Sequence, residues 1–259
     1  MIKALFTAST GLNAQSTSID TVANNLANVN TNGFKRNHLD FQDLIYVNEV
    51  SPGAAQGQDP PSGLQVGSGV RVAGTPKIFT QGSLITTGNN YDLAIEGQGF
   101  LQVSLPNGST AYTRDGALRI NSQGSLVTSD GFPIQPQLNV SSDILSISVA
   151  PDGTISGTNA TGAKSNVGQL TLVRFSNPAG LSAEGRNLFT ETASSGSPIT
   201  GTPGQNGTGL LRQGVLERSN VEAVTELVNL ILAQRAFEFN TRSIQSADQM
   251  LSRISQMNV

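Results

Sequence analysis

Apolar residues recur every seven positions at both ends of this chain, while the long middle alternates with period two. Near the N-terminus, Leu5, Leu12, Ile19 and Leu26 form one column; Ala8, Val22 and Val29 form the offset column, with Gln15 as the polar exception. Near the C-terminus, Leu230, Phe237, Ile244 and Leu251 repeat the pattern, offset by Ala233, Asn240, Ala247 and Ile254. Steps alternating between three and four residues are those of a seam between helices. The spacing predicts one helix from about Ile2 to Asn32 and a second from a Ser219 cap to about Ile254. Their seams are expected to meet each other or copies of themselves, which points toward assembly.

Asn32-Gly33 supplies the stop for the first helix, since both residues tolerate a left-handed helix end. Lys3 and Asp20 are its only charges, and its outer face carries Ser, Thr, Asn and Gln. A solvated amphipathic helix ordinarily has a charged outer face, so this one is expected to be covered. Ser219-Asn220-Val221-Glu222 has the form of a capping box, with Glu222 reaching back to Ser219. The turns that follow are apolar on more than one face, through Val221, Val224, Leu227, Val228, Leu230, Ile231 and Leu232, which implies more than one neighbour. Burying seams of this size offsets only part of the entropy lost on ordering, so both ends are expected to gain order on assembly.

Between the helices, residues 34–64 read as an extended linker or arm, with the breaker-rich stretch from Ser51 to Gly63 at its end. From Gln65 onward, short apolar runs alternate with turn pairs: Asn107-Gly108, Asp115-Gly116, Gln123-Gly124, Asp130-Gly131 and Asp152-Gly153. Such pairs favour the positive backbone angles of tight hairpins. Gln-Gly-x-Leu recurs at Gln81, Gln123 and Gln213 as reused turn chemistry. The expected fold class is therefore α+β. Residues 1–33 and 219–259 form a coiled-coil-like terminal helical domain, 34–64 a linker, and 65–218 a central all-β domain.

Charged residues are 13% of the 259 and the net charge is -3. Ordinary soluble domains carry roughly 25%. No basic surface is present to attract nucleic acid, and no apolar run approaches the ~18 residues of a membrane span. With no Cys, disulfides and thiolate chemistry are ruled out. Thr7, Ser9, Thr10 and Asn13 interrupt any secretory apolar core, so export would need a route without a cleaved signal. His38, near Asp40 and Asp43, is too thin a set for a metal and reads as a surface His. No catalytic, cofactor or metal residues are assigned.

The string Ala23-Asn24-Asn25-Leu26-Ala27-Asn28-Val29-Asn30-Thr31-Asn32-Gly33-Phe34-Lys35-Arg36 resembles the N-terminal signature of the bacterial flagellar rod and hook family of axial proteins. Ser219-Asn220-Val221, Glu226-Leu227-Val228, Gln234-Arg235-Ala236-Phe237-Glu238 and Asp248-Gln249-Met250-Leu251 resemble its C-terminal signature. Tyr91 to Phe100 and Tyr112-Thr113-Arg114-Asp115-Gly116 resemble its β-domain. Within the family, Pro61 to Val70 resembles the distal rod branch.

The resemblance implies a non-enzymatic subunit that polymerises helically into a hollow, torque-transmitting shaft in the basal body, within the periplasm and toward the outer membrane. Implied partners are copies of itself, proximal rod proteins, the hook or hook-junction, the surrounding ring and the type III export apparatus. Leu5, Leu12, Ile19, Val22, Leu26, Val29, Leu230, Phe237, Asn240, Ile244 and Leu251 are the expected assembly interface. Asn24, Asn25, Asn28, Asn32, Gly33 and Phe34 carry the family signature. Their amides would either bridge subunits or merely fray a helix end; Asn240, inside a seam, is the stronger candidate for setting register. A proximal rod or hook paralogue, a monomeric β-rich adhesin and a cell-wall hydrolase are the competing readings.

Overall fold

The computed structural model of the chain describes residues 2–50, 63–141 and 143–257. Most of the Ser51–Gly63 stretch, and Pro61-Ser62 of the distal rod resemblance, lie outside the described residues. Two compact units emerge, one of Met1–Ala27, Asn37–Pro76 and Glu222–Val259, the other of Asn28–Arg36 and Lys77–Val221.

In the first unit, helix α1 (Ile2–Ala27) packs against helix α2 (Ala223–Met257). Two antiparallel ribbons join them: β1 (Asp40–Asp43) with β4 (Val70–Gly74), and β2 (Tyr46–Val50) with β3 (Leu64–Gly67). α1 meets β4 directly, where the Val70 N–H donates to Thr10 Oγ1 at 3.3 Å. α1 ends at Ala27, short of the expected Asn32. The reason is local. The Asn28 carbonyl accepts the Thr31 N–H at 3.1 Å and its side-chain oxygen accepts the Thr31 hydroxyl at 3.1 Å, so the chain turns where helical bonds would continue. The capping box also fails to close. Ser219 Oγ accepts from the Val221 N–H at 3.3 Å, and Glu222 accepts the Thr225 hydroxyl at 2.9 Å instead of reaching back.

The second unit holds the remaining strands, all antiparallel. β5 (Leu84–Thr86), β6 (Leu93–Glu96), β7 (Leu101–Ser104), β8 (Thr110–Thr113), β9 (Arg119–Ile120), β10 (Leu126–Val127) and β11 (Ile134–Gln135) come first. β12 (Ile144–Val149), β13 (Thr154–Asn159), β14 (Lys164–Gln169), β15 (Leu172–Arg174), β16 (Ser182–Gly185), β17 (Leu188–Thr190), β18 (Ile199–Gly201), β19 (Leu210–Gln213) and β20 (Val215–Glu217) follow. The largest sheet runs β11-β7-β8-β17-β16; β12-β13-β14 form a meander, and the others pair in twos. Alternation sets the faces: in β7, Leu101 and Val103 are buried while Gln102 and Ser104 are half-buried. Leu93, Ile95, Leu101, Ile155, Leu170 and Leu172 anchor the main core, and Phe79, Phe100, Tyr112, Phe175 and Phe189 stack edge-on in a second cluster.

Four of the five turn pairs place glycine at positive φ, from +79° at Gly124 to +85° at Gly131. Asp115-Gly116 is the exception. There a Cβ would collide with the Leu93 carbonyl, so glycine is required by close approach and not by turn angle. Two of the three Gln-Gly-x-Leu segments meet, because β5 pairs with β20 through Leu84↔Glu217, Ile85↔Leu216 and Thr86↔Val215.

Candidate assembly surface

The predicted seam residues, apart from Val29, fall on the two helices of the first unit, which pack against each other. On α1, Val22 is buried and Leu5, Leu12, Ile19 and Leu26 are half-buried. On α2, Leu230, Asn240, Ile244 and Leu251 are half-buried, Ala233 is buried, and Phe237 is just exposed at 38%. Val29 falls beyond α1, in the turns of the second unit. Asn240 faces Gly11: a Cβ there would stand 2.9 Å from the amide nitrogen. The absent side chain of Gly11 makes room for the amide.

A different set of α2 residues stays open. Val224, Leu227, Val228, Ile231, Leu232 and Phe239 are all exposed, up to 70% at Val224. At 3.6 residues per turn they span about 140° of the helix surface, nearly opposite the seam. On α1, Phe6 is exposed and borders an apolar recess of about 260 Å³ with Val47 and Val66. Three α1 threonines bond within the helix: Thr7, Thr17 and Thr21 each donate to the carbonyl four residues back, at 3.0, 3.0 and 2.8 Å.

The family-signature residues are engaged within the chain. Asn24 is on the exposed side of α1. Asn25 is buried and exchanges two bonds with the Asn37 backbone, accepting its N–H at 2.8 Å and donating to its carbonyl at 2.9 Å. Residues 28–36 lie as a strap on the second unit. Asn30 Oδ1 accepts from Arg218, and the Asn32 carbonyl accepts the Asn187 amide, each at 2.9 Å. Gly33, at φ +68°, donates its N–H to the Glu217 carbonyl at 2.8 Å; a Cβ there would press within 2.8 Å of the Arg114 backbone. Phe34 is buried with Lys77 Nζ 5.1 Å from its ring centre. Arg36 N–H donates to Asn220 Oδ1 at 2.8 Å, and the Arg36 carbonyl accepts from Ile78 at 2.9 Å.

Beneath the strap is a buried ion cluster that sequence reasoning missed. Lys35 Nζ donates to Glu217 Oε1 at 2.6 Å and to the Thr80 carbonyl at 2.7 Å. Arg114 Nε reaches Glu217 Oε2 at 3.1 Å, while its Nη1 donates to the carbonyls of Gly97 and Gly99 at 2.9 and 2.8 Å. Gly82 N–H adds a bond to Glu217 Oε1 at 2.9 Å. Burial and the Arg114 charge hold the Lys35 ammonium below its ordinary pKa, against the pull of Glu217. Burial pushes the Asp115 carboxyl up; the Ala117 N–H opposes this, and Asp92 and Asp130 add to it. Lys35 and Arg114 sit inside the resemblance strings, but more than 70 residues separate each cation from the next member of the cluster in sequence, so spacing gives no hint of the convergence.

His38 Nε2 stands 3.5 Å from Asp40 Oδ1 with both side chains about half open, and no His, Cys, Asp or Glu group among the described residues could hold a metal. Among those residues no helix is long and apolar enough to cross a membrane.

Paired terminal helices, an open apolar ridge and a strapped β-unit define a class, that of structural subunits of larger assemblies. Residues 5–35 match the family described as flagella basal body rod protein, residues 94–157 the flagellar hook protein FlgE/F/G D1 domain, and residues 212–257 the flagellar basal body rod FlgEFG protein C-terminal region. The chain is 49% identical to the flagellar basal-body rod protein FlgG of Buchnera aphidicola subsp. Acyrthosiphon pisum, covering 99% of this chain and 100% of that one. It is 46% identical to FlgG of Borreliella burgdorferi over 97% of both chains, and 33% identical to the flagellar hook-basal body complex protein FlhP of Bacillus subtilis over 98% and 99%. The chain belongs to the family of flagellar basal-body rod proteins and is a structural subunit of the bacterial flagellar rod.

Proposed function

We propose that this subunit builds the distal rod, stacking helically into the hollow shaft that carries torque from motor to hook, and that it performs no catalysis. The observation that carries this reading is the open ridge on α2. Six large apolar side chains lie exposed on one arc of a chain with 13% charge, a surface that gains by contact with a neighbour. The Phe6–Val47–Val66 recess is a different patch of the same unit. Two unlike patches suit a head-to-tail contact, the kind that propagates as a helix instead of closing as a dimer. The seam residues contribute by pairing α1 with α2 in coiled-coil fashion, and the self-bonded threonines of α1 lose little when covered.

In this reading the neighbours are sister subunits, proximal rod proteins, the hook or hook-junction and the surrounding ring. The subunit passes through the type III export apparatus and works in the periplasm, toward the outer membrane. The two helices reach full order on assembly; equal circular dichroism from free and polymerised subunits would count against that step. The deciding experiment adds purified subunit to isolated rod or hook nuclei across a concentration series. Elongation above a critical concentration supports the proposal, and a persistent monomer on every nucleus refutes it. Labelling the subunit along isolated basal bodies separates the distal rod from a hook-basal body paralogue, the second reading that the FlhP similarity keeps open.

A further inference from the structure

We infer that residues 28–36 close onto the second unit only once the strand Val215–Glu217 has been added, so that Glu217 is the latch of the strap. The inference deepens the rod-subunit reading by naming a step that makes a subunit complete, and it rests on that reading only for this consequence.

The strap's partners are drawn largely from the end of the unit. Gly33 bonds the Glu217 backbone, Lys35 its carboxylate, Arg36 the Asn220 side chain, and Asn30 the Arg218 guanidinium. Asn220 also donates to the carbonyls of Ile78 and Thr80, joining the segment that follows the strap's return. Glu217 is the only carboxylate ion-paired with Lys35 or Arg114 among the described residues. Lys35 and Glu217 side chains are 0% and 1% exposed, and Arg114 is 4%. Docking the strap without Glu217 would therefore bury two cations together with no counter-charge, which is strongly unfavourable. An undocked strap leaves the Lys35 ammonium in water. Arg114 is held independently by the Gly97 and Gly99 carbonyls, so the sheet around β7 and β8 does not need the latch. A chain that has not yet supplied residues 215–221 would thus have an ordered β-core and a loose strap.

Residue-resolved hydrogen exchange on the full-length free subunit tests this. In Glu217→Gln, the amides of Gly33, Arg36 and Ile78 should lose protection by about 100-fold, while those of β7 and β8 change by less than about 3-fold. In Lys35→Met/Glu217→Gln, one cation leaves with the anion, and strap protection should recover by about 10-fold over the single variant. Equal loss in strap and core, an unchanged strap, or no recovery in the double variant overturns the latch. If Glu217→Gln does not fold, a folded double variant supports the charge argument and an unfolded one overturns it. Exchange is read on monomers, so failure to polymerise would sink the shaft proposal and leave this result standing.

Discussion

Replacing Leu227, Ile231 and Leu232 together by Ala tests whether the α2 ridge is a contact surface. These side chains are 46%, 55% and 62% exposed in the single chain. Full burial of such a side chain is worth about 1.5–3 kcal/mol, so the half still open is worth about 1 kcal/mol at each position and about 3 kcal/mol for the three. That corresponds to a rise of roughly 100-fold in the critical concentration for elongation, since about 1.4 kcal/mol is tenfold. Ala is the best helix former, so α2 itself should not suffer. The assay is sedimentation of polymer grown on rod or hook nuclei, with thermal melting of the free subunit run in parallel. A raised critical concentration with an unchanged melting temperature is expected. An unchanged critical concentration refutes the ridge as an interface. A melting temperature that falls in step with elongation would instead show the ridge to be part of the subunit's own core.

Glu217→Gln should cost docking of the strap about 3 kcal/mol, read as the roughly 100-fold loss of exchange protection at Gly33, Arg36 and Ile78, because it strands two buried cations. Lys35→Met should cost less, since Glu217 keeps Arg114 and the Gly82 N–H; the reverse order would contradict the cluster's assigned roles. Asp115→Asn should be neutral or stabilising at pH 7. A carboxyl with a raised folded-state pKa stabilises the wild type only while protonated, and that contribution is lost as pH rises through the raised value. The variant's advantage should shrink on acidification toward pH 4, and an advantage that grows instead would reverse the sign of the argument. Gly11→Ala should gain little in the wild-type background, where its Cβ meets the Asn240 amide at 2.9 Å. In an Asn240→Ala background it should gain about 1 kcal/mol from helix propensity. A double-mutant cycle with zero coupling would separate the two residues.

Helix periodicity placed both terminal helices, because apolar steps of three and four leave one face to bury. It also marked the early turns of α2 as needing a second neighbour, and Val224, Leu227, Val228, Ile231 and Leu232 are the residues left open. Turn chemistry located the β-unit and most of its hairpins, since glycine at positive φ is a local requirement. Local signals were weaker at helix ends. Asn28 and Thr31 turned the chain early, and Ser219 capped Val221 outside α2, because short polar side chains offer several backbone partners and tertiary context chooses among them.

The sequence by itself determined the two terminal helices, the β-rich middle, the low charge and the apolar columns, all properties of neighbouring residues. Only the tertiary structure decided that the signature string is a strap, that Gly11 makes room for Asn240, and that Lys35, Arg114 and Glu217 share one buried site. Those pairings join residues 182 and 103 positions apart. A buried charge shows no periodicity along the chain; its partner is set by where the sheet brings the backbone together, which no local pattern encodes.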